Sequence, residues 1–401
     1  MDCSESRDWT TLEYDILGVI LNKMMSLYDY LQFSLVCKSW NFVALRHKHQ
    51  RSVITSEFPQ LPMLIVPSIK DGIEKQHCLY DVTNNKIRTA DFKFCFNKRC
   101  CGSSFGWLIM HEETFDVTLF NPFSGTVIRL PPLPKEHEDD DYYPWYILKA
   151  ILTKDPSLYP NDYMVVAIYG ISTKLCLIEA KSKIWKKYDI PPGQDYNPFE
   201  DVYVCNDTLY ASHLDDVQLN LWKVEVDENS PISLQRVAII LQPSLSTHDF
   251  GPMFIVESSK KELLLIRRIL SVEDHEQPDS DITTTLVKTI KFVAYKHTHT
   301  CNDGTQRFEE VKSLDDDAVF IGEQSICIST KNFPKCLPNC IYYTDNRYYS
   351  HDPFVNGPQD IGIYNLEDGS FGEHYIPNIA HQNLPSPIWI VPTIHYKDSE
   401  Y

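Results

Sequence analysis

No stretch of this chain approaches the roughly 20 apolar residues that a membrane-spanning helix requires. The opening MDCSESRDW also lacks the apolar core of a secretory leader, so the protein is expected in the cytoplasm and/or the nucleus. Positive charge is scarce, with 37 Lys and Arg against 55 Asp and Glu and a formal net charge of −18. A phosphate backbone or an anionic bilayer would be repelled over most approaches, which excludes nucleic acid and membrane as main partners. The local basic cluster Lys181, Lys183, Lys186 and Lys187 marks a solvated strand edge. No GxxxxGK phosphate loop is present, nor a GxGxxG after a strand. The twelve cysteines are scattered and mostly flanked by strand-like residues, as in Phe94-Cys95-Phe96, Leu175-Cys176-Leu177 and Ile326-Cys327-Ile328. In a reducing compartment they are small buried hydrophobes rather than a disulfide framework.

What the chain does have begins at Trp9. Leu12, Ile16, Leu17, Val19, Ile20 and Leu21 crowd a turn and a half of helix, and Leu27, Tyr30, Leu31, Leu35 and Val36 recur at helical spacing in the next segment. Asp15 and Asp29 sit where first-turn carboxylates favour the helix dipole, on either side of the Met24-Met25-Ser26 junction. A third helix is expected from about Lys38 to Lys48. So short a segment cannot bury all these side chains internally, and part of the surface must meet a partner or pack back on the rest of the chain.

These residues resemble the F-box. The likeness rests on Leu12, the run Asp15-Ile16-Leu17, Leu31, and the closing Leu35-Val36-Cys37-Lys38-Ser39-Trp40, which is similar to the VCKxW ending of plant F-box proteins. Glu13 stands where F-boxes usually carry Pro, a residue suited to opening a helix. The resemblance implies that Leu12, Asp15, Ile16, Leu17, Ile20, Leu31, Leu35, Val36, Cys37 and Trp40 form the surface for a Skp-type adaptor, with Glu13 bearing on how tightly it is held.

Beyond about Phe58 the helical period gives way to short β-branched and aromatic runs separated by Pro, Gly, Asn and Asp. Eleven of them are expected as strands, among them Leu108–Met110, Val117–Phe120, Tyr163–Tyr169, Leu263–Ile269 and Ile341–Tyr343. Many short antiparallel strands imply a sandwich, barrel or propeller. More than 300 residues are too many for one sandwich, and at about 45 residues per four-stranded blade they fill six or seven propeller blades. Phe105-Gly106-Trp107-Leu108, running through Asn121-Pro122 to Leu130-Pro131-Pro132, has the pattern of one blade. The expected fold is therefore a small all-α module of three short helices followed by an all-β propeller.

The segments Leu314 to Gly322, Phe333 to Thr344, Gly362 to Gly369 and Ser386-Pro387-Ile388-Trp389, with Gly102-Ser103-Ser104, resemble plant F-box proteins with a KIB-type β-propeller. This assigns residues 8–48 to the F-box, 49–60 to a linker and 61–395 to the propeller. What the resemblance implies is a non-catalytic substrate receptor: the F-box holds a Skp-type adaptor and through it a cullin-RING core, and the propeller holds a target protein for ubiquitination. No cofactor is implied. The alternatives are a propeller hydrolase and a propeller scaffold unconnected with ubiquitin. Tyr142, Tyr143, Trp145 and Tyr348 are candidate target contacts.

Three further patterns invite chemistry. Gly102-Ser103-Ser104-Phe105-Gly106 matches the GxSxG of a nucleophile elbow, which needs a strand before it and a helix after it; here another strand follows, so Ser104 is expected in a blade turn. His297, His299 and Cys301 alternate, so on a regular strand they would share one face, without an evident fourth ligand nearby. The acidic run from Glu136 to Asp141 lacks the spacing and central Gly of a calcium loop and fits a solvated connection.

Overall fold

The computed structural model describes residues 8–24, 27–47, 60–70, 73–89, 99–112, 114–133, 135, 146–170, 173–188, 198–214, 218–226, 232–241, 251–276, 283–302, 304–344, 360–375 and 387–393. The chain divides into two compact units, Met1–Leu61 with Val391–Tyr401, and Pro62–Ile390.

In the first unit a 3-10 turn, Trp9–Thr11, precedes α1 (Tyr14–Asn22), α2 (Leu27–Leu35) and α3 (Lys38–Arg46). Its core is Leu17, Leu21, Tyr30, Phe33, Val43 and Ala44. The buried Tyr30 hydroxyl donates to the Ala44 carbonyl at 2.8 Å, so α2 is tied to α3 by a polar bond as well as by packing.

The second unit is a six-bladed propeller, its six sheets all drawn from the described residues. The first blade is made from both ends of the unit: β1 (Met63–Lys70), β2 (Ile73–Asp81) and β3 (Lys86–Thr89) are completed by the last strand, β25 (Ile388–Ile390), which pairs with β1 through Leu64 opposite Trp389. Chain closure is thus a three-residue ladder. The second blade is β4 (Arg99–Ser104), β5 (Trp107–His111), β6 (Val117–Phe120) and β7 (Val127–Leu130). The third is β8 (Ile147–Leu152), β9 (Met164–Tyr169), β10 (Lys174–Glu179) and β11 (Lys186–Lys187). The fourth is β12 (Asp201–Cys205), β13 (Thr208–Leu214), β14 (Gln218–Glu225) and β15 (Ser233–Leu241), and the fifth β16 (Met253–Glu257), β17 (Leu263–Glu276), β18 (Thr283–Thr300) and β19 (Gln306–Val311).

The sixth blade departs from the expected antiparallel plan. It holds β20 (Asp317–Ile321), β21 (Ser325–Ser329), β22 (Cys340–Tyr343), β23 (Gly362–Asn365) and β24 (Phe371–Gly372), and β22 runs parallel to β20, with Val319 opposite Ile341. A parallel neighbour requires a crossover. Here antiparallel β21 brings the chain back to the end where β20 began, with Ser329 opposite Asp317, and the 3-10 turn Thr330–Asn332 and the loop from Phe333 to Pro338 carry it across that end to the other side of β20.

The apolar core lies between blades. Trp107, Ile109 and Leu119 of the second blade pack on Val165, Ala167 and Cys176 of the third, and equivalent clusters fill the next junctions. The closing junction is aromatic: Trp389 meets Phe320 edge-on at 5.0 Å, and Phe320 stacks on Tyr342 at 4.7 Å. Burial of each such side chain contributes roughly 1.5–3 kcal/mol.

Side chains also link every blade to the next. Ser103 donates to the Trp389 carbonyl, the Leu152 amide donates to Ser104, Lys149 pairs with Asp201, and the Asn206 amide donates to Glu257 at 2.9 Å. The Ser259 amide donates to Asp317 at 2.9 Å, and the Trp389 indole donates to the Ile321 carbonyl at 3.2 Å, which returns the series to the first blade. This series of polar links fixes blade order where apolar packing alone has little directionality.

Candidate adaptor-docking site

The helical unit is built so that two helices are apolar on both sides. On α1, Leu17, Gly18 and Leu21 face inward and are buried, while Ile16 and Val19 point away at 47% and 57% exposure, with Ile20 half-buried beside them. On α3, Val43 and Ala44 are buried and Phe42 and Leu45 are exposed. One apolar stripe suffices to seat a helix on its own core. The second stripe is left for something else.

The turn before α1 is held rigidly. The Asp8 carboxylate accepts from the Thr10 amide and hydroxyl, bonds that hold its carboxyl below the usual carboxylate range. The Trp40 indole donates to the Trp9 carbonyl at 3.1 Å and its ring lies 4.5 Å from Phe33, so the last residue of the VCKSW run anchors both the entry turn and α2. Glu13, the N-cap residue of α1, makes no side-chain cap bond, and Asp15 in the first turn supplies the favourable charge instead.

Of the residues expected at the adaptor surface, Ile16, Val36 and Asp15 are exposed, and Leu12, Ile20, Cys37 and Trp40 are half-buried. Leu17 is wholly buried and supports the surface from beneath. The side chains of Leu31 and Leu35 lie outside the described residues. Trp9, Tyr14, Val19, Phe42 and Leu45 are exposed apolar residues that the motif did not single out. Tyr14 meets Phe42 edge-on at 5.8 Å, and the Arg46 guanidinium sits 5.3 Å over the Phe42 ring. Plotting α1 and α3 at 100° per residue would have found Val19, Phe42 and Leu45, because they oppose the buried stripes.

On the propeller, the chemical patterns resolve into structure. Ser104 ends β4, directly before the two-residue turn Phe105-Gly106 into β5, and its hydroxyl oxygen accepts the Leu152 amide at 3.1 Å. No helix follows, so the elbow geometry is absent there. The ladder between β18 and β19 shifts register between His297 and His299, which breaks the alternation that would have put both rings on one face. The His297 ring packs on Phe308 at 5.6 Å, and among the described residues no three His, Cys, Asp or Glu side chains converge on a metal-sized site. The ten described cysteines are free. Burial pushes the Cys100 thiol up to about 12, so it is an unreactive packing group. The run from Glu136 to Asp141 and Tyr142, Tyr143, Trp145 and Tyr348 lie outside the described residues.

Residues 79–365, spanning blades one to six, match the model of the KIB1-4 beta-propeller. The chain belongs to this family. Over 98% of this chain and 97% of its own length, F-box protein SKIP23 of Arabidopsis thaliana is 24% identical. Putative F-box protein At4g22180 of the same plant is 20% identical over 97% of this chain and 95% of its own. The likeness to these F-box relatives therefore includes the helical unit. Among solved structures, a quinonprotein alcohol dehydrogenase-like protein of Bacteroides thetaiotaomicron covers 82% of this chain and 78% of its own at 9% identity, with a TM-score of 0.36. No helix among the described residues is long and apolar enough to cross a membrane.

Proposed function

We propose that this member of the KIB1-4 propeller family is the substrate-recognition subunit of an SCF-type cullin-RING ubiquitin ligase. Its helices dock on a Skp-type adaptor, its propeller holds a protein target in the cytoplasm or nucleus, and ubiquitin transfer takes place on other subunits. The observation that carries the reading is the second apolar stripe: Ile16, Val19 and Val36 are each about half exposed on a unit whose own core is already complete without them. Covering such a stripe with a partner removes apolar area from water at roughly 25 cal/mol per Å², and the F-box relatives retain this part of the chain.

The test is Ile16→Asp combined with Val36→Asp in the full chain, followed by co-purification with adaptor and cullin. These exposed positions tolerate charge in the free protein, so helix content and the melting temperature should be unchanged while recovered adaptor falls at least about tenfold. Normal recovery from the doubly substituted protein defeats the reading.

A further inference from the structure

The fifth blade contains two strands far longer than it needs. Partner strand β16 pairs with β17 only up to Arg267, and β19 pairs with β18 only up to Ala294. Beyond those points β17 and β18 continue together, with a register shift at Ile269/Leu270 and then seven regular pairs from Leu270 opposite Thr289 to Glu276 opposite Thr283. The root of this ribbon is fastened on both sides. The Arg268 amide donates to the Pro252 carbonyl at 3.0 Å, and the Thr289 amide donates to Asp360 at 2.7 Å. Arg268 itself is buried, bonding to Asp360, Thr289 and the Thr344 carbonyl. From Ser271 to Glu276 and from Thr283 to Lys288, the described residues show no backbone hydrogen bond to any segment outside the ribbon. At about 3.3 Å per residue these six-residue edges are roughly 20 Å long.

The extension, from Ser271 on β17 and up to Lys288 on β18, lies outside the apolar clusters shared with the neighbouring blades, which reach along β17 to Ile266 and along β18 back to Phe292. An open strand edge is a template for another strand. It normally carries a proline or a bulge where pairing must be prevented. The six-residue edges contain neither, and Thr283-Thr284-Thr285-Leu286-Val287 is strongly strand-prone. The edge on β17 carries Glu273, Asp274 and Glu276 with no Lys or Arg from Ile269 to its end. Two copies of this edge would repel each other, whereas a basic segment would be drawn to it, in keeping with the net charge of −18.

We infer that the ribbon edge Ser271–Glu276 is a recognition surface that takes up an extended, basic segment of a partner protein as an added strand. The segment's backbone completes the ladder, and the acidic sequence of this edge, with Glu273, Asp274 and Glu276 and no Lys or Arg, favours Lys or Arg in the added strand. Calling that partner the ligase target rests on the proposed receptor role; the edge itself does not.

The probe is a fluorescent ten-residue peptide alternating Lys with Thr and Val, compared with its Glu-for-Lys counterpart and with a version carrying Pro at alternate positions. Binding to the full chain is read by fluorescence anisotropy. The Lys peptide should bind, and the Glu and Pro peptides should not. Joining Leu270 to Thr289 by Asn-Gly, which removes the ribbon at a paired position, should abolish binding while melting and adaptor recovery stay at the parent level. The triple change Glu273→Lys, Asp274→Lys and Glu276→Lys should weaken the Lys peptide at least about tenfold. The inference is overturned if the parent does not bind the Lys peptide, if the ribbonless chain binds it equally, or if the Pro peptide binds as well as the Lys peptide. It is likewise overturned if sedimentation shows a self-associated dimer that dissolves when the ribbon is removed. Adaptor recovery is read separately, so failure of this inference and failure of the receptor role give different results.

Discussion

Lys149 on β8 and Asp201 on β12 form a buried ion pair across the junction of the third and fourth blades. Asp201 is more than a counterion: its carboxylate also accepts the amides of Val202 at 2.8 Å and Ile255 at 2.6 Å, the latter from the fifth blade. One carboxylate thus fastens three consecutive blades. Removing it leaves a buried ammonium and two buried amides without an acceptor. Asp201→Ala should destabilise the propeller by about 3–5 kcal/mol, read as a shift in the urea midpoint. Pairing it with Lys149→Met should recover only part of the loss, because the two amides stay orphaned; full recovery would show that the ion pair is the whole of Asp201's role.

Phe105 occupies the left-handed region at φ 54° in the turn between β4 and β5, next to Gly106 at φ 77°. The equivalent turn of the fourth blade places Asn206 and Asp207 at φ 48° and 58°, residues that tolerate this conformation. A phenylalanine there is strained. Phe105→Asn should therefore raise stability by about 1 kcal/mol, measured as a higher melting temperature. A lower melting temperature would mean that the half-exposed ring contributes more by packing than its backbone loses.

The outline of the fold was legible because it is written in periodicity. All eleven strands expected from β-branched runs are present, as are the three helices, the third beginning at Lys38 as expected and ending two residues before Lys48. Strands such as Arg99–Ser104 and Asp201–Cys205 escaped notice because their alternation is interrupted by Cys, Gly and Ser or by polar residues that serve the links between blades. Closure by Ile388–Ile390 and the parallel pairing of β20 with β22 depend on contacts between residues far apart in sequence, which local pattern does not encode. The proposed adaptor surface rests on a motif, which does not tell which of its residues face outward: Leu17 and Ile16 are neighbours in sequence and opposites in exposure.

Glu200 packs its carboxyl between blades, where burial, against the Met253 backbone hydrogen bond and the charge of Arg267, pushes it up to about 8; Asp201 beside it acts in the same upward direction. The folded protein then holds a proton that the unfolded chain releases above about 4.5. By linkage, stability from this group is full below pH 4.5 and is lost as pH rises toward 8. Glu200→Gln should flatten the decline in melting temperature between pH 5 and pH 8, and an unchanged slope would assign that decline to another group.

His374 works in the opposite direction. It lies among Tyr80, Tyr342 and Trp389 at the closing junction, and burial lowers it to about 4. The unfolded chain takes up a proton below pH 6.5 that the folded imidazole refuses until about pH 4, so stability falls as pH drops through that window. His111, lowered to about 4 chiefly by burial and then by Arg99, adds to the same loss. Acid titration of the melting temperature should show a steeper fall below pH 6.5 in the parent than in His374→Gln.

The neighbours Leu17 and Ile16 separate folding from docking. Leu17 is fully enclosed by the helical core, so Leu17→Asp buries an unpaired charge and should melt the three helices; Ile16→Asp places the same charge in water. Circular dichroism should therefore lose helical signal in the first variant and keep it in the second, although both lose the adaptor. The propeller should survive either change, since its junctions are filled from its own blades. If Leu17→Asp kept its helices, the inward position of Leu17 would be wrong, and with it the assignment of Ile16 and Val19 to the outer stripe.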